Sequence, residues 1–218
     1  MRIAVIGASG RTGGEVVRQA LRRGHGVVAM ARRTESLSLV HPGAWAHDDG
    51  QVTVRGADVF DVERIAVALE DVDAVVSAVG VGASRRPTQV YSTGIANVLK
   101  AMSTTGAVRL AVVSAAPVGP REEQPVLQRR VAMPILERIF GATYADMSRM
   151  EAILRDSPVD WTALRPPRLM DKPPLGQYRL DRLPLPKGRA ITIGDLATAL
   201  LDCVTRTDRQ REALYVAN

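Results

Sequence analysis

An α/β fold with a doubly wound parallel sheet is predicted by three observations in the sequence. First, a short apolar run, Arg2–Ile6, leads into glycines at G-x-x-G-x-x-G spacing and then into apolar residues at helical spacing. Second, strand-like and helix-like runs alternate along most of the chain, which calls for parallel strands joined by right-handed crossovers. Third, 46% of the 218 residues are hydrophobic, which is ample for a sizeable core. We therefore predict a Rossmann-type fold with a small C-terminal substrate or lid lobe.

The glycine-rich turn is the feature around which the rest of the chain is organised. Gly7 permits the tight turn, Gly10 lets a diphosphate approach the backbone, and Gly13 lets the helix pack against the strand. The first amides of that helix have no partner within it, and the helix dipole favours an anion there. A plain strand-to-helix turn is the alternative. The turn predicts a dinucleotide site whose contacts are Gly7, Ser9, Gly10, Arg11, Thr12 and Gly13.

A pair of arginines ends the second predicted strand, which covers residues 25–31. In a doubly wound sheet this position meets the adenosine ribose, where an acidic residue would select NAD. Arg32 and Arg33 suit a 2′-phosphate instead, because arginine binds phosphate through paired hydrogen bonds. The doublet therefore predicts NADP(H) in preference to NAD(H), with a solvated basic pair as the alternative.

The remaining elements follow from periodicity and from helix- and strand-breaking residues. Further strands are predicted at 51–54, 73–80, 109–116 and 160–164, and helices at 61–71, 87–105, 144–155 and 193–205. Prolines interrupt residues 117–145, where we predict a lid leading into a short helix at 128–140. Residues 170–190 are also proline-rich and predict an irregular stretch or small hairpin, and 213–216 predict an edge strand. We expect residues 1–218 to form one dinucleotide-binding domain with its lobe in 117–145 and 170–190.

The carboxyl ends of the later strands supply further candidate cofactor contacts. Asp58 can accept from an adenine amino group with Val59 beneath the ring, although a turn or helix cap is an alternative role. Small side chains after the fourth strand leave room for a diphosphate and the second ribose. Ser114 ends the fifth strand, and a double proline fixes the backbone after the sixth. The predicted contacts in these places are Asp58, Val59, Ser77, Ala78, Val79, Gly80, Ser114, Ala115, Pro166 and Pro167.

Composition narrows the classes of partner. The net charge of +6 comes mainly from arginines in scattered doublets, and aromatic residues make up only 4%, so few rings could stack on bases. We expect a small-molecule partner rather than nucleic acid. No apolar run approaches the roughly 20 residues that a membrane helix needs. The single cysteine, Cys203, fits a reducing compartment, and we expect a cytoplasmic protein that is a monomer or homodimer.

A metal site has weak support in the sequence. His41 and the run His-Asp-Asp at 47–49 carry ligand-type side chains, but they lack firm ligand spacing. We expect no bound metal.

Several segments together resemble an atypical short-chain dehydrogenase/reductase. They are the opening Gly-Ala-Ser-Gly-Arg-Thr-Gly, the pair Asp58-Val59, residues 77–80, the pair Val113-Ser114 and the segment Asp-Trp-Thr-Ala-Leu-Arg-Pro-Pro at 160–167. More narrowly, nearly the whole chain is similar to the NAD(P)H-binding proteins grouped with biliverdin-IXβ/flavin reductase and the NmrA-like sensors. The resemblance implies that Ser114 lies beside the nicotinamide and the acceptor, where its hydroxyl could donate a hydrogen bond, relay a proton or only position the cofactor.

One departure from the family pattern bears on mechanism. Active short-chain dehydrogenases usually carry Tyr-x-x-x-Lys on a helix, in which lysine lowers the pKa of the tyrosine that transfers the proton. The register here places Met147 and Glu151 at those positions, so an epimerase or dehydratase mechanism loses support. Tyr144 is predicted to contribute first to packing or to a lid contact with the substrate, and second to catalysis. Arg168 is predicted to meet an anionic or polar acceptor, with a surface position as the alternative.

Two functions remain open at this stage. One is an NADPH-dependent reductase that transfers hydride to a flavin, quinone or similar conjugated acceptor, for which bulk water or a weak donor can supply the proton. The other is a redox sensor in which bound NADP(H) sets the conformation of the lid. Both need the same glycine turn, so the turn cannot distinguish them.

Overall fold

Eight strands form one central sheet in the computed structural model, which describes residues 1–35, 37, 51–82, 86–124, 129–130, 133–206 and 211–218. The strand order is β3-β2-β1-β4-β5-β6-β10-β8, and every neighbouring pair is parallel except β10 with β8. Two short strands, β7 and β9, pair in parallel as a separate ribbon. The bounds are β1 Arg2–Ile6, β2 Gly26–Ala31, β3 Val52–Gly56, β4 Ala74–Ser77, β5 Arg109–Val113, β6 Asp160–Arg165, β7 Arg168–Met170, β8 Arg179–Asp181, β9 Ala190–Thr192 and β10 Glu212–Ala217.

Helices cover both faces of the sheet, as the doubly wound prediction requires. Helices α1 and α5 pack on one face, and α2, α3 and α4 pack on the other. The bounds are α1 Arg11–Arg22, α2 Val62–Ala68, α3 Ser92–Thr105, α4 Met133–Asp156 and α5 Ile193–Thr205, with a 3₁₀ turn at Ala116–Val118. The predicted Rossmann-type α/β fold is confirmed.

The two cores explain why the central strands read as continuous apolar runs. In β1, Ile3 and Val5 belong to the core beneath α1 and α5, while Ala4 and Ile6 belong to the opposite core. Side chains alternate between the faces of a strand, so a strand covered on both sides must be apolar at every position.

The helical predictions are wrong in two places. The predicted short helix at 128–140 and the helix at 144–155 are one 24-residue helix, α4. Pro134 does not break this helix, because it lies in the first turn. A backbone N–H at that position would have no hydrogen-bond partner within the helix, so its absence in proline costs nothing. The helix predicted at 87–105 begins only at Ser92, where the carboxylate of Asp146 accepts hydrogen bonds from the amides of Tyr91 and Ser92.

The predictions for the C-terminal third also need correction. Residues 213–216 do not form an edge strand, because β10 lies between β6 and β8. The stretch 170–190 does not form a hairpin, because β8 pairs with β10 and β9 pairs with β7. Local sequence carries no information about which distant strand supplies the partner.

Some predictions fall where the structure gives no description. Most of the loop 34–50, including His41 and residues 47–49, lies outside the described residues, as do 125–128 and 131–132 of the predicted lid. Across the described ranges, no helix combines the length and apolar character needed to cross a membrane.

Candidate functional site

The glycine turn adopts a conformation that only glycine tolerates at two of its positions. Gly7 has φ +83°, and a Cβ there would lie 2.8 Å from the carbonyl oxygen of Ala78. A Cβ on Gly13 would lie 2.2 Å from the carbonyl oxygen of Gly7, so α1 could not approach β1 as closely. The amides of Gly7 and Ala8 both donate to the carbonyl of Met30, which fixes the turn to the end of β2.

A cavity of about 380 Å³ opens at the carboxyl ends of β1, β2 and β4, against this turn. Open α/β sheets bind ligands at this edge, where the strand order reverses. The predicted cofactor residues that line the cavity are Gly7, Ser9, Gly10, Arg32, Asp58, Val59, Ala78, Val79 and Gly80.

The N-terminus of α1 faces this turn and suits a diphosphate. Its N-cap is Gly10, which has no side chain to bind the first amides, and the first turn contains no acidic residue. The predicted contacts Arg11, Thr12 and Gly13 occupy that first turn. Amides and helix dipole together favour an anion. Arg11 forms an exposed salt bridge with Asp171, with 3.2 Å between Nη1 and Oδ2.

The two predicted arginines differ in position. Arg32 is exposed, lines the cavity and forms no ion pair within the described part of the chain. Arg33 is exposed but does not line the cavity. Asp58 lines the cavity and accepts a hydrogen bond from the Phe60 amide at 3.1 Å, as its alternative role in a turn requires. Its contact with an adenine stays a prediction.

Ser114 lies away from this cavity, in a buried polar cluster at the carboxyl ends of β5 and β6. Its hydroxyl donates to Glu151 Oε1 at 2.7 Å, and Arg165 donates to both oxygens of Glu151 at 3.0 and 2.6 Å. Ser114 is 2% exposed, Glu151 4% and Arg165 9%. Burial acts to lower the pKa of Arg165, but the hydrogen bonds and charge of Glu151 outweigh it and raise that pKa.

Tyr215 extends this cluster on the side of β10. The guanidinium of Arg165 lies 5.3 Å from the centre of the Tyr215 ring. Burial raises the pKa of Tyr215, the charge of Arg165 acts against this, and that of Glu123 adds to it. The segment from the 3₁₀ turn to Gln124 covers the cluster, with Gly119 directly against the Tyr215 hydroxyl.

The other predicted residues have mainly structural surroundings. Tyr144 is half-buried and packs against Phe140 with 6.0 Å between ring centres, and burial raises its pKa. Met147 lies in the core beneath α4. Arg168 is exposed at the start of β7. The remaining predicted contacts do not line the cavity: Ser77, Ala115, Pro166 and Pro167.

Sequence reasoning missed several lining residues and one ion pair. The missed lining residues are Ile6, Met30, Ala31, Ala57, Phe60, Val81 and Val90. Phe60 could have been found from the sequence, because it is a large aromatic residue two positions after the predicted contact Asp58. In the structure it lines the cavity and is 51% exposed. The pairing of Glu151 with Arg165 had none, because the two residues belong to different elements.

The glycine turn, the uncapped helix terminus and the cavity at the switch point define a dinucleotide-binding protein of the Rossmann class. A model of the family described as NAD(P)H-binding matches residues 7–207, and the chain belongs to that family. This confirms the predicted resemblance to NAD(P)H-binding proteins.

Named relatives match with modest identity. The photosystem II assembly factor Ycf39 of Synechocystis is 32% identical over 49% of this chain and 31% of its own length. The uncharacterized protein At2g34460 of Arabidopsis thaliana is 27% identical over 83% of this chain and 63% of its own. The chain therefore spans less than two thirds of the length of these relatives. The uncharacterized protein YwnB of Bacillus subtilis is 26% identical over 100% of this chain and 99% of its own length.

Solved structures share the fold over the whole chain. The oxidoreductase ylbE of Lactococcus lactis has a TM-score of 0.80 at 19% identity, covering 100% of this chain and 91% of its own. A short-chain dehydrogenase/reductase of Veillonella parvula in complex with NADP has a TM-score of 0.79 at 18% identity, covering 100% and 94%. The anaerobillin reductase ChuY of Escherichia coli O157:H7 has a TM-score of 0.75 at 18% identity, covering 100% and 97%.

Proposed function

We propose that this protein is an NADPH-dependent reductase that transfers hydride to a conjugated acceptor such as a flavin or quinone. The observation that carries the proposal is the cavity lined by the glycine turn and by Arg32, whose guanidinium has no ion-pair partner among the described residues. The NADP complex of the Veillonella protein and the reductase ChuY support the choice of cofactor and reaction class.

The residues of the cavity would bind and orient the dinucleotide. The Gly7–Gly13 turn and the amides of α1 would hold the diphosphate, and Arg32 would pair with the 2′-phosphate. Val59 and Asp58 would contact the adenine. When bound, NADPH supplies the hydride, so the chain's task is to hold the nicotinamide against a flat acceptor and exclude competing geometries.

A conjugated acceptor fits the proton-transfer groups that are present. Met147 cannot transfer a proton, and Glu151 is held between the donors of Ser114 and Arg165. Tyr144 has a raised pKa and packs against Phe140. A reduced flavin or quinone delocalises the incoming charge and can take its proton from water, whereas the carbonyl reduction of a simple sugar needs a positioned acid.

A second function has specific support. Ser114 is buried and its hydroxyl is engaged by Glu151, which suits a protein that binds NADP(H) without turning it over. A relative named as an assembly factor, Ycf39, points the same way. In this alternative the dinucleotide would set the position of the lid and the choice of partner.

The remaining parts of the proposal concern where and with what the protein acts. We propose a cytoplasmic protein, since a chain with a single cysteine, Cys203, fits a reducing compartment. The partner would be a small conjugated molecule rather than nucleic acid, and the protein would be a monomer or a homodimer.

Absorbance at 340 nm with NADPH and either FMN or menadione separates the two functions. Turnover that saturates in both substrates supports the reductase. Tight NADPH binding by calorimetry without turnover supports the sensor, and no binding of NADPH or NADH at millimolar concentration contradicts both.

Cofactor preference is tested by single arginine variants. Arg32→Ala should weaken NADPH binding about tenfold or more while leaving NADH nearly unchanged, because a charge-assisted contact to phosphate is lost. Arg33→Ala is the matched control and should have the smaller effect, since Arg33 does not line the cavity. Equal losses for both cofactors in Arg32→Ala would contradict the assignment.

A further inference from the structure

Tyr91 has a buried hydroxyl group beside the dinucleotide cavity. The residue immediately precedes α3 and is 6% exposed. Its Oη accepts a hydrogen bond from the amide of Val81 at 3.2 Å, and Val81 lines the cavity. A phenol oxygen that accepts from an amide still has its own proton to donate. Within the described part of the chain, that proton has no acceptor.

The surroundings of Tyr91 keep its hydroxyl protonated and its backbone fixed. Burial raises the pKa of Tyr91, the hydrogen bond from Val81 acts to lower it, and the charge of Asp146 raises it further. The fully buried carboxylate of Asp146 accepts from the amides of Tyr91 and Ser92, which holds the backbone in place. A buried donor held in this way costs free energy unless an acceptor reaches it, so the hydroxyl calls for a partner.

A second, smaller cavity of about 10 Å³ is lined by both Tyr91 and Ser77, and it has room for one water-sized group. Ser77 is half-buried, and its hydroxyl forms no hydrogen bond within the described ranges. Val79 and Val90 line this small cavity and the dinucleotide cavity alike, so the two cavities are neighbours. Two residues whose hydroxyl protons lack acceptors therefore border one space beside the dinucleotide site.

The strand order places the small cavity on the nicotinamide side of a bound dinucleotide. Arg32 follows β2 and Asp58 follows β3, where the adenosine would lie, and the glycine turn that would hold the diphosphate follows β1. The order β3-β2-β1-β4-β5 leaves the carboxyl ends of β4 and β5 for the other half of the molecule. Ser77 is the last residue of β4 and Val113 is the last residue of β5, and both line the small cavity.

We propose that the hydroxyls of Tyr91 and Ser77 donate hydrogen bonds to an oxygen of the nicotinamide half of the dinucleotide. The ribose hydroxyls and the carboxamide of that half supply oxygens that can accept, and the bond from Val81 would keep Tyr91 Oη in position to donate. Tyr91 belongs to none of the cofactor motifs that the sequence predicts. This inference rests on the proposed binding of NADPH, although not on its turnover, and it names a further binding residue for that site.

Two ligands that differ in the nicotinamide half test the two donors by calorimetric titration. Tyr91→Phe and Ser77→Ala should each raise the Kd for NADPH about threefold to tenfold, the equivalent of one lost hydrogen bond. Neither variant should change the Kd for adenosine 2′,5′-bisphosphate, which lacks the nicotinamide half.

Tyr178→Phe and Ser103→Ala are the matched controls. Each deletes a hydroxyl that donates within the protein, and neither residue lines either cavity, so both Kd values should stay at those of wild type. Ser77→Ala also guards against a folding defect in Tyr91→Phe, because it leaves the hydrogen bond between Val81 and Tyr91 intact.

Equal losses for both ligands would overturn the inference, because the variants would then have altered only the wall of the adenosine site. Unchanged affinities for both would overturn it too, since a buried water would then be the partner of the hydroxyls. If NADPH binds and no acceptor is reduced, the reductase proposal fails and the same titrations still decide the role of Tyr91. If neither ligand binds wild type, both proposals fail.

Discussion

Glu151 holds a charge in the protein interior because donors from two other elements surround its carboxylate. Arg165 binds both oxygens, and Ser114 donates to one of them. Burying two charges costs free energy because both lose their hydration. Only close, well-directed hydrogen bonds between them, such as these, offset that cost. Removing one partner leaves the other charge unpaired, which costs more than the pair itself contributes.

Replacing Glu151 by Gln should therefore lower the free energy of unfolding by about 3–5 kcal/mol, since Arg165 would remain buried without its anion. Urea denaturation measures the loss. The double variant Glu151→Leu with Arg165→Met should recover much of it, because apolar residues of similar size need no partner. A double variant as unstable as Glu151→Gln would show that packing, rather than charge, decides stability at this place.

At the level of single residues, the sequence predicts where a residue lies in its helix or strand better than it predicts which other residues it contacts. It placed Glu151 where short-chain dehydrogenases carry lysine, and Ser114 at the end of a strand. It could not pair them with each other or with Arg165, because 37 residues separate Ser114 from Glu151 and 14 separate Glu151 from Arg165. The cavity was easier to predict from the sequence, because Gly7 and Gly10 lie within one local motif.

Two glycines in helices have opposite surroundings, although a propensity scale treats them alike. In α1, a Cβ on Gly13 would lie 2.2 Å from the carbonyl oxygen of Gly7, so the helix would have to move away from β1. In α4, a Cβ on Gly141 would meet nothing within 4 Å. The glycine in α1 therefore serves close packing, and the one in α4 only costs backbone entropy.

Gly141→Ala should raise the free energy of unfolding by about 0.5–1 kcal/mol, since alanine is the better helix former. Gly13→Ala should lower it by about 1–3 kcal/mol through overpacking and should also weaken NADPH binding. Thermal unfolding and calorimetric titration measure the two effects. Destabilisation by both substitutions would show that α4 tolerates no side chain at Gly141.

At the level of elements, the prediction succeeded where periodicity is strong and failed where a distant contact decides the boundary. The inner strands β1, β2 and β4 were predicted because nearly every position in them is apolar or small. The start of α3 was not, because Asp146 from α4 accepts the hydrogen bonds of its first amides. The continuity of α4 was missed because Pro134 favours a break except in a first turn.

At the level of the whole molecule, one carboxylate joins the C-terminal elements. Asp195, at the start of α5, is 1% exposed. It accepts from the amides of Leu175 and Gly176 and from the side chains of Thr192 and Asn218, at 2.6–3.0 Å. The loop after β7, the end of β9 and the residue after β10 thus converge on a single ionised group.

The strand order explains why sequence reasoning could not see this convergence. It predicted α5 correctly and treated residues 213–216 as an edge strand. In the structure β10 lies inside the sheet, which brings Asn218 to Asp195 across 23 residues of sequence. The same placement brings Tyr215 beside Arg165.

The pKa of Asp195 makes stability depend on pH in a defined direction. Burial acts to raise this pKa, but the hydrogen bonds from Thr192, Leu175, Asn218 and Gly176 outweigh it and lower the pKa below its ordinary value. The stabilisation is therefore fully present above the ordinary aspartate pKa of about 3.9 and is lost as the pH falls through the lower pKa of the folded protein.

Asp195→Asn should accordingly be less stable than wild type by about 2–4 kcal/mol at pH 7, because an amide cannot satisfy all the donors around Asp195. Urea denaturation at intervals from pH 7 to pH 2.5 should show this difference narrowing only below pH 4, since wild type loses its ionised carboxylate there and the variant has none to lose. Asp156→Asn, on the exposed end of α4, controls for a change of charge alone and should follow wild type throughout. A difference that stays constant down to pH 2.5 would show that the network depends on the shape of the Asp195 side chain and not on its charge.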